Sequence, residues 1–89
     1  MKEIIAKLLE KELGKGGRIL ELIEVPPDEK LGDYAFPCFF LAKKEKKSPL
    51  LIAEELAEKL RKELPKEVSN VDAKSGYVNF FVDKRIFAR

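Results

Sequence analysis

Apolar residues recur at Ile4, Ile5, Leu8, Leu9 and Leu13, three and four positions apart, and stop at Gly14, with Gly16 and Gly17 beyond. That spacing places them on one face of a helix and the glycine ends it, which predicts an amphipathic helix over about 2–13. Arg18 to Val25 alternates loosely through Ile19, Leu20, Leu22, Ile23 and Val25, then meets Pro26-Pro27, which removes two backbone donors. This stretch reads as a strand. Pro27 to Asp33 is a turn-rich connector, in which Gly32 serves the turn and Asp33 is the expected N-cap of a helix over Tyr34 to Lys44, with Pro37 in its first turn. Ala35, Phe36, Cys38, Phe39, Phe40, Leu41 and Ala42 leave that helix apolar nearly all round, so it is expected to lie sandwiched at the centre of the fold.

Ser48-Pro49 has the residue types of an N-cap and first helical position. Ile52, Ala53, Leu56, Ala57, Leu60 and Leu64 then mark a buried stripe that runs up to Pro65. Val68 to Lys74 and Tyr77 to Val82 are β-rich runs separated by Ser75-Gly76, the two-residue spacing of a tight hairpin. Lys84 to Arg89 reads as the start of a further helix. The predicted order is α-β-α-α-β-β plus the start of a C-terminal helix. This is an α+β fold with a small antiparallel sheet of about three to four strands backed by helices. Eighty-nine residues make a single domain, 1–89, too short for the nucleotide-binding sheet and substrate pocket that most ligases and transferases need. An ending on the apolar turn Ile86-Phe87 reads as an engineered fragment or a fragment of a longer gene product.

Charge changes this picture in one respect. The 18 Lys/Arg and 16 Asp/Glu give a net +2 overall, but residues 1–42 hold six cations against eight anions, and residues 43–89 hold twelve against eight. The second half is the place to look for a polyanion partner. The chain has no histidine and one cysteine, Cys38, set among Phe36, Phe39 and Phe40. Those counts exclude an internal disulfide, an imidazole base, a Cys-His pair and a nitrogen-sulfur metal site, so no catalytic residue, metal or cofactor is expected in this chain. They also suit a reducing, cytoplasmic setting. No segment reaches the length of a membrane span, and the N-terminal Met-Lys-Glu-Ile-Ile lacks a signal-peptide pattern. Glu54, Glu55 and Glu58 share a helix side with Lys59, Arg61 and Lys62, which reads as a solvated ion-paired face rather than a carboxylate pair. Gly14-Lys15-Gly16-Gly17 lacks the spacing and the terminal Lys-Ser/Thr of a phosphate loop, and is read as a helix end and loop.

Candidate chemistry concentrates in the last hairpin, Lys74-Ser75-Gly76-Tyr77-Val78-Asn79-Phe80-Phe81-Val82. Alternation puts Val78, Phe80 and Val82 toward the helices, and Tyr77, Asn79 and Phe81 on the outer face. An aromatic ring beside an amide, flanked by Lys74, Lys84 and Arg85, can stack an unpaired base, hydrogen-bond its edge and meet its phosphates. Tyr and Asn near a turn are also ordinary sheet residues. Lys43, Lys44, Lys46 and Lys47 are further candidate phosphate contacts, or simply helix-end cations that complement the helix dipole. The run loosely matches the RNP1 signature of an RRM, but two helices lie back to back ahead of the hairpin, where an RRM would alternate differently.

Taken in order, Pro27-Asp28-Glu29-Lys30-Leu31-Gly32-Asp33-Tyr34-Ala35, Leu41-Ala42-Lys43, Ser48-Pro49 with Ile52-Ala53-Glu54-Glu55-Leu56, and Gly76-Tyr77-Val78-Asn79-Phe80 resemble the additional N-terminal domain of arginyl-tRNA synthetases. The resemblance covers the chain from about residue 20 to the end. It implies a few antiparallel strands backed by helices, joined to a class I catalytic domain and an anticodon-binding domain that this chain lacks. It also implies docking on the outer corner of an arginine-specific tRNA, where D-loop and T-loop meet. Tyr77 would stack on a splayed D-loop base and Asn79 would hydrogen-bond its edge. ATP and the arginylation chemistry would belong to the parent enzyme, a class I aminoacyl-tRNA ligase. Some relatives carry a neutral polar residue where this chain has Lys74, and a cation there favours phosphate over base discrimination. The alternative expectation is a protein–protein or interdomain module, with Ile86-Phe87 packed on another domain and Tyr77 and Asn79 inert.

Overall fold

The computed structural model describes residues 2–14, 19–83 and 85. The first helix, α1, spans Lys2–Leu13 and ends at Gly14, whose φ of +84° suits a residue without Cβ and whose N–H donates to the Glu10 carbonyl at 2.8 Å. Ile5, Ala6, Leu8 and Leu9 are its buried face.

The expected strand over 18–25 does not form. Ile19–Leu22 is instead a single helical turn, α2. Ile19 and Ile23, four residues apart, both drop into the core while Glu21 between them is exposed; one turn of helix separates them in this way, whereas a strand would carry Glu21 on the same face as both. Only Glu24 then meets the sheet, exchanging two backbone hydrogen bonds with Ala35 at 2.8 and 2.7 Å. Pro26-Pro27 offers no donors to continue that pairing. The connector turns through a 3₁₀ turn at Glu29–Leu31, held by the Asp28 carboxylate, which accepts from the Lys30 N–H at 2.9 Å.

The helix expected over Tyr34 to Lys44 is also corrected, because it is two elements. Tyr34–Pro37 is strand β1, and α3 runs only over Phe39–Glu45, with Cys38 at its N-cap. Pro37 disfavours a helical conformation at Phe36, and on an edge strand its missing N–H costs no ladder bond. Apolar residues all round a helix are thereby replaced by a strand buried on both faces. Asp33 caps no helix. Its N–H donates to the Phe80 carbonyl at 2.8 Å, and its Oδ2 accepts from the Val82 N–H at 2.9 Å, so its side chain prolongs the sheet ladder.

The remaining elements fall close to where the sequence pattern puts them, except that α4 stops at Arg61 and Leu64 lies beyond it. Helix α4 spans Pro49–Arg61; the Ser48 hydroxyl accepts from the Leu50 N–H at 3.2 Å, and Pro49 occupies the first turn. Strands β2, Val68–Lys74, and β3, Tyr77–Val82, join through Ser75 and Gly76 at φ +55° and +83°, the two positive values of a type I′ turn. The sheet order is β1-β3-β2, all antiparallel, so β3 is bonded on both edges. A bulge at Ser69 shifts the register, which lets Val68 and Val71 both face inward, and Ser69 Oγ donates to the Phe81 carbonyl at 3.0 Å. Three strands and the lone Glu24 bridge lie against α1, α3 and α4 over one core that includes Phe36, Phe80, Leu9, Leu60 and Val71. The expected helix from Lys84 lies outside the described residues.

Candidate nucleic-acid interface

Because β3 is central, its alternate residues face two environments. Val78 and Phe80 point into the core and are fully buried. Tyr77 and Asn79 point the other way, beside Ala35 of β1. That outer face is not open, as alternation alone suggested, because the connector of residues 25–32 folds over it. Gly32 sits so close to β3 that a Cβ on it would lie 2.9 Å from the Phe80 carbonyl oxygen and 3.4 Å from Asn79 Cβ, and its φ of +103° is one that other residues rarely adopt.

Between connector and sheet lies a cleft of about 270 Å³. Pro26, Pro27 and Leu31 form an apolar wall, Ala35, Tyr77 and Asn79 the opposite side, and Glu24, Lys74 and Ser75 also line it. Asn79 is only 5% exposed. Its amide makes no hydrogen bond to another described residue, yet neither of its polar atoms is sealed from solvent. An amide presents both donors and acceptors, so one that opens on a cleft beside an aromatic ring can read the edge of a flat heterocycle while the ring covers its face. The Glu24 carboxylate can accept a further hydrogen bond.

Tyr77 is held from outside the cleft. Its ring meets Phe39 edge to face, with centroids 5.3 Å apart and planes at 82°. The start of α3 is tied to the turn by the Cys38 N–H, which donates to the Gly76 carbonyl at 3.0 Å. Cys38 itself is buried, and burial, with a smaller contribution from the Glu45 carboxylate, pushes its thiol from 9.0 to about 11. It takes no part in the cleft.

Of the candidate cations, Lys74 lines the cleft and the other described ones do not. Lys43, Lys44, Lys46 and Lys47 are exposed at the far end of α3 and in the loop after it, and Lys47 pairs with Glu55 at 3.6 Å. Lys44 borders a separate groove with Glu12, Glu55 and Lys59. Arg85 lies beyond the opposite end of β3, its guanidinium bonded to Asp83 through Nε and Nη2 at 3.1 and 3.0 Å. That pairing lowers the Asp83 pKa and raises that of Arg85. Lys84 and the Ile86-Phe87 pair lie outside the described residues. The apolar wall at Pro26, Pro27 and Leu31 has little signal in the sequence, where these three residues stand in a charged, turn-rich connector without periodicity. Among the described residues, no group of three or more Asp, Glu or Cys is placed to hold a metal, and no helix is long and apolar enough to cross a membrane.

A family model described as the arginyl tRNA synthetase N terminal domain matches residues 1–82. The chain belongs to that family. It is 46% identical over 90 residues to an arginine–tRNA ligase of Alkaliphilus metalliredigens, which covers 99% of this chain and 16% of the relative, and 55% identical over 71 residues to one of Clostridium botulinum, covering 80% and 12%. Its fold superimposes on the arginyl-tRNA synthetase of Thermus thermophilus with a TM-score of 0.73 at 36% identity, over 96% of this chain and 14% of that one. The chain therefore spans about a sixth or less of the length of these relatives. The resemblance read from Pro27–Ala35, Ser48-Pro49 and Gly76–Phe80 is borne out for this arginyl-tRNA synthetase N-terminal domain.

Proposed function

We propose that this chain is the part of a cytoplasmic arginine–tRNA ligase that docks on the outer corner of the arginine-specific tRNA, taking one unpaired D-loop base into the cleft between β3 and the connector. Tyr77 stacks on that base, the Asn79 amide bonds its edge, and Lys74 meets the adjoining phosphate. The observation that carries this reading is Asn79, which is nine-tenths buried with no partner among the described residues and opens on a cleft beside an aromatic ring. Burying an amide without a partner costs about 1–3 kcal/mol, and a base that completes its hydrogen bonds offsets that cost. ATP, arginine and the adenylation and transfer steps belong to catalytic and anticodon-binding domains outside this chain, and no step of that chemistry runs on its residues.

The test is a titration of labelled arginine tRNA with the 89-residue chain at two salt concentrations, beside Tyr77→Ala, Asn79→Ala and a tRNA with the D-loop base changed. Salt-dependent binding is expected, weakened on the order of tenfold by each variant and by the base change. Binding no tighter than to an unrelated RNA, indifferent to both variants, refutes the proposal.

A further inference from the structure

Phe39 stands at the first residue of α3 and is 44% exposed. Single exposed aromatics are common and need no explanation, but three observations separate this one. Its ring does not line the cleft, yet it touches Tyr77, which does. It lies over the hairpin turn, where a Cβ on Gly76 would come within 2.9 Å of Phe39 Cε1 and 3.1 Å of Cζ, so the turn leaves that space empty and the ring settles into it. Pro49 closes the same contact from the start of α4, with its Cβ 3.4 Å from that position, and exposed Leu50 follows it. The result is an apolar ledge continuous with the cleft mouth. Lys74, next to the turn, lines the adjoining cleft, and Lys43 follows one helical turn along α3.

We infer that Phe39 is a second base-stacking surface, taking the face of the nucleotide next to the one held in the cleft; the inference rests on the docking reading above. An unpaired strand whose one base is held beside Tyr77 can lay a neighbouring base on the same turn, since Tyr77 and Phe39 are in contact there. The ledge that neighbour meets is aromatic, solvent-open and flanked by cations, the combination that holds single-stranded nucleic acid without regard to sequence. A purely apolar protein partner would leave Lys74 beside the ledge unneutralised. The contact is through a π-face, so it predicts affinity without base preference at that neighbouring position, in contrast to the cleft itself.

The experiment compares Phe39→Leu and Phe39→Trp with the unaltered chain, using arginine tRNA and two tRNAs made abasic on one side or the other of the D-loop base assigned to the cleft. Phe39→Leu is expected to weaken binding on the order of 5- to 100-fold, with Phe39→Trp retaining it. One of the two abasic tRNAs should lose a similar factor with the unaltered protein, and on that tRNA Phe39→Leu should cost little more. Should Phe39→Leu fail to fold, as a melting curve would show, the abasic tRNAs with the unaltered chain decide alone. If neither abasic neighbour weakens binding, or if the Phe39→Leu loss is undiminished on both abasic tRNAs, Phe39 stacks on no base and the inference is overturned. Silence of Phe39→Leu while Tyr77→Ala and Asn79→Ala weaken binding sinks this inference and leaves the docking reading standing; silence of all three sinks both.

Discussion

Asn79→Leu should make the domain more stable and worse at binding tRNA. Leu branches at Cγ as Asn does, and it would face Pro26, Pro27 and Leu31 across the cleft. Removing a nearly buried amide that has no partner among the described residues relieves about 1–3 kcal/mol. Because both amide atoms still reach solvent, part of that cost is never incurred, and a net gain of about 0.5–2 kcal/mol remains after the discount. For a chain of this size that corresponds to a rise in Tm of roughly 2–16 °C. The same substitution removes the groups that bond the base edge, a loss on the order of tenfold or more in tRNA affinity. Urea unfolding followed by circular dichroism gives the first quantity, and the tRNA titration gives the second. A variant destabilised by more than about 1 kcal/mol would mean that Asn79 is held by the protein after all. Unchanged tRNA affinity would mean that the amide reads nothing.

Other substitutions test neighbouring links. Gly32→Ala forces a non-glycine residue to φ +103° and sets a methyl 2.9 Å from the Phe80 carbonyl oxygen, so equilibrium unfolding should show a loss of about 3 kcal/mol; a loss below about 0.5 kcal/mol would show that the connector moves freely over the sheet. Lys74→Ala should lower the salt slope of tRNA binding by about one, whereas Lys47→Ala, paired with Glu55 and away from the cleft, should leave it unchanged. The Cys38 thiol is pushed from 9.0 to about 11 in the folded state, so the unfolded chain loses that proton first as pH rises. The stabilisation from this group is then complete below pH 9 and is lost toward about pH 11. Denaturation at pH 8, 9, 10 and 11 should show this decline, and Cys38→Ala should flatten it relative to the unaltered chain.

The elements legible in the sequence were those whose signals are local. The stripe of α1 with its glycine stop, Ser48-Pro49 ahead of α4 and the Ser75-Gly76 turn each depend on residues within a few positions of one another. The segment from Tyr34 to Ala42 was not legible, because an unbroken apolar run suits a buried strand and a buried helix equally, and Pro37 is tolerated at a helix start and on an edge strand alike. Asp33 reads as a helix cap for a related reason. A side chain that caps a helix and one that extends a ladder look identical until the partner is known, and here the partner is Val82, 49 residues away. The shared face of Tyr77 and Asn79 on β3 is legible from alternation. The cleft around them is not, since it exists only where the connector crosses the strand.

The connector is fastened at both ends. Glu24 and Ala35 exchange two backbone bonds before it, and Asp33 exchanges two bonds with Phe80 and Val82 after it. A wall tied down in this way stands in place before any ligand arrives, so entry of a base requires no opening or closing of the protein. On the docking proposed above, the slow event on the path to the bound state would lie in the RNA, in the time a D-loop base takes to leave its stack. The observed association rate should level off with rising protein concentration at a ceiling set by the tRNA, one that nucleotide changes easing unstacking would raise and that substitutions in this domain would leave where it is.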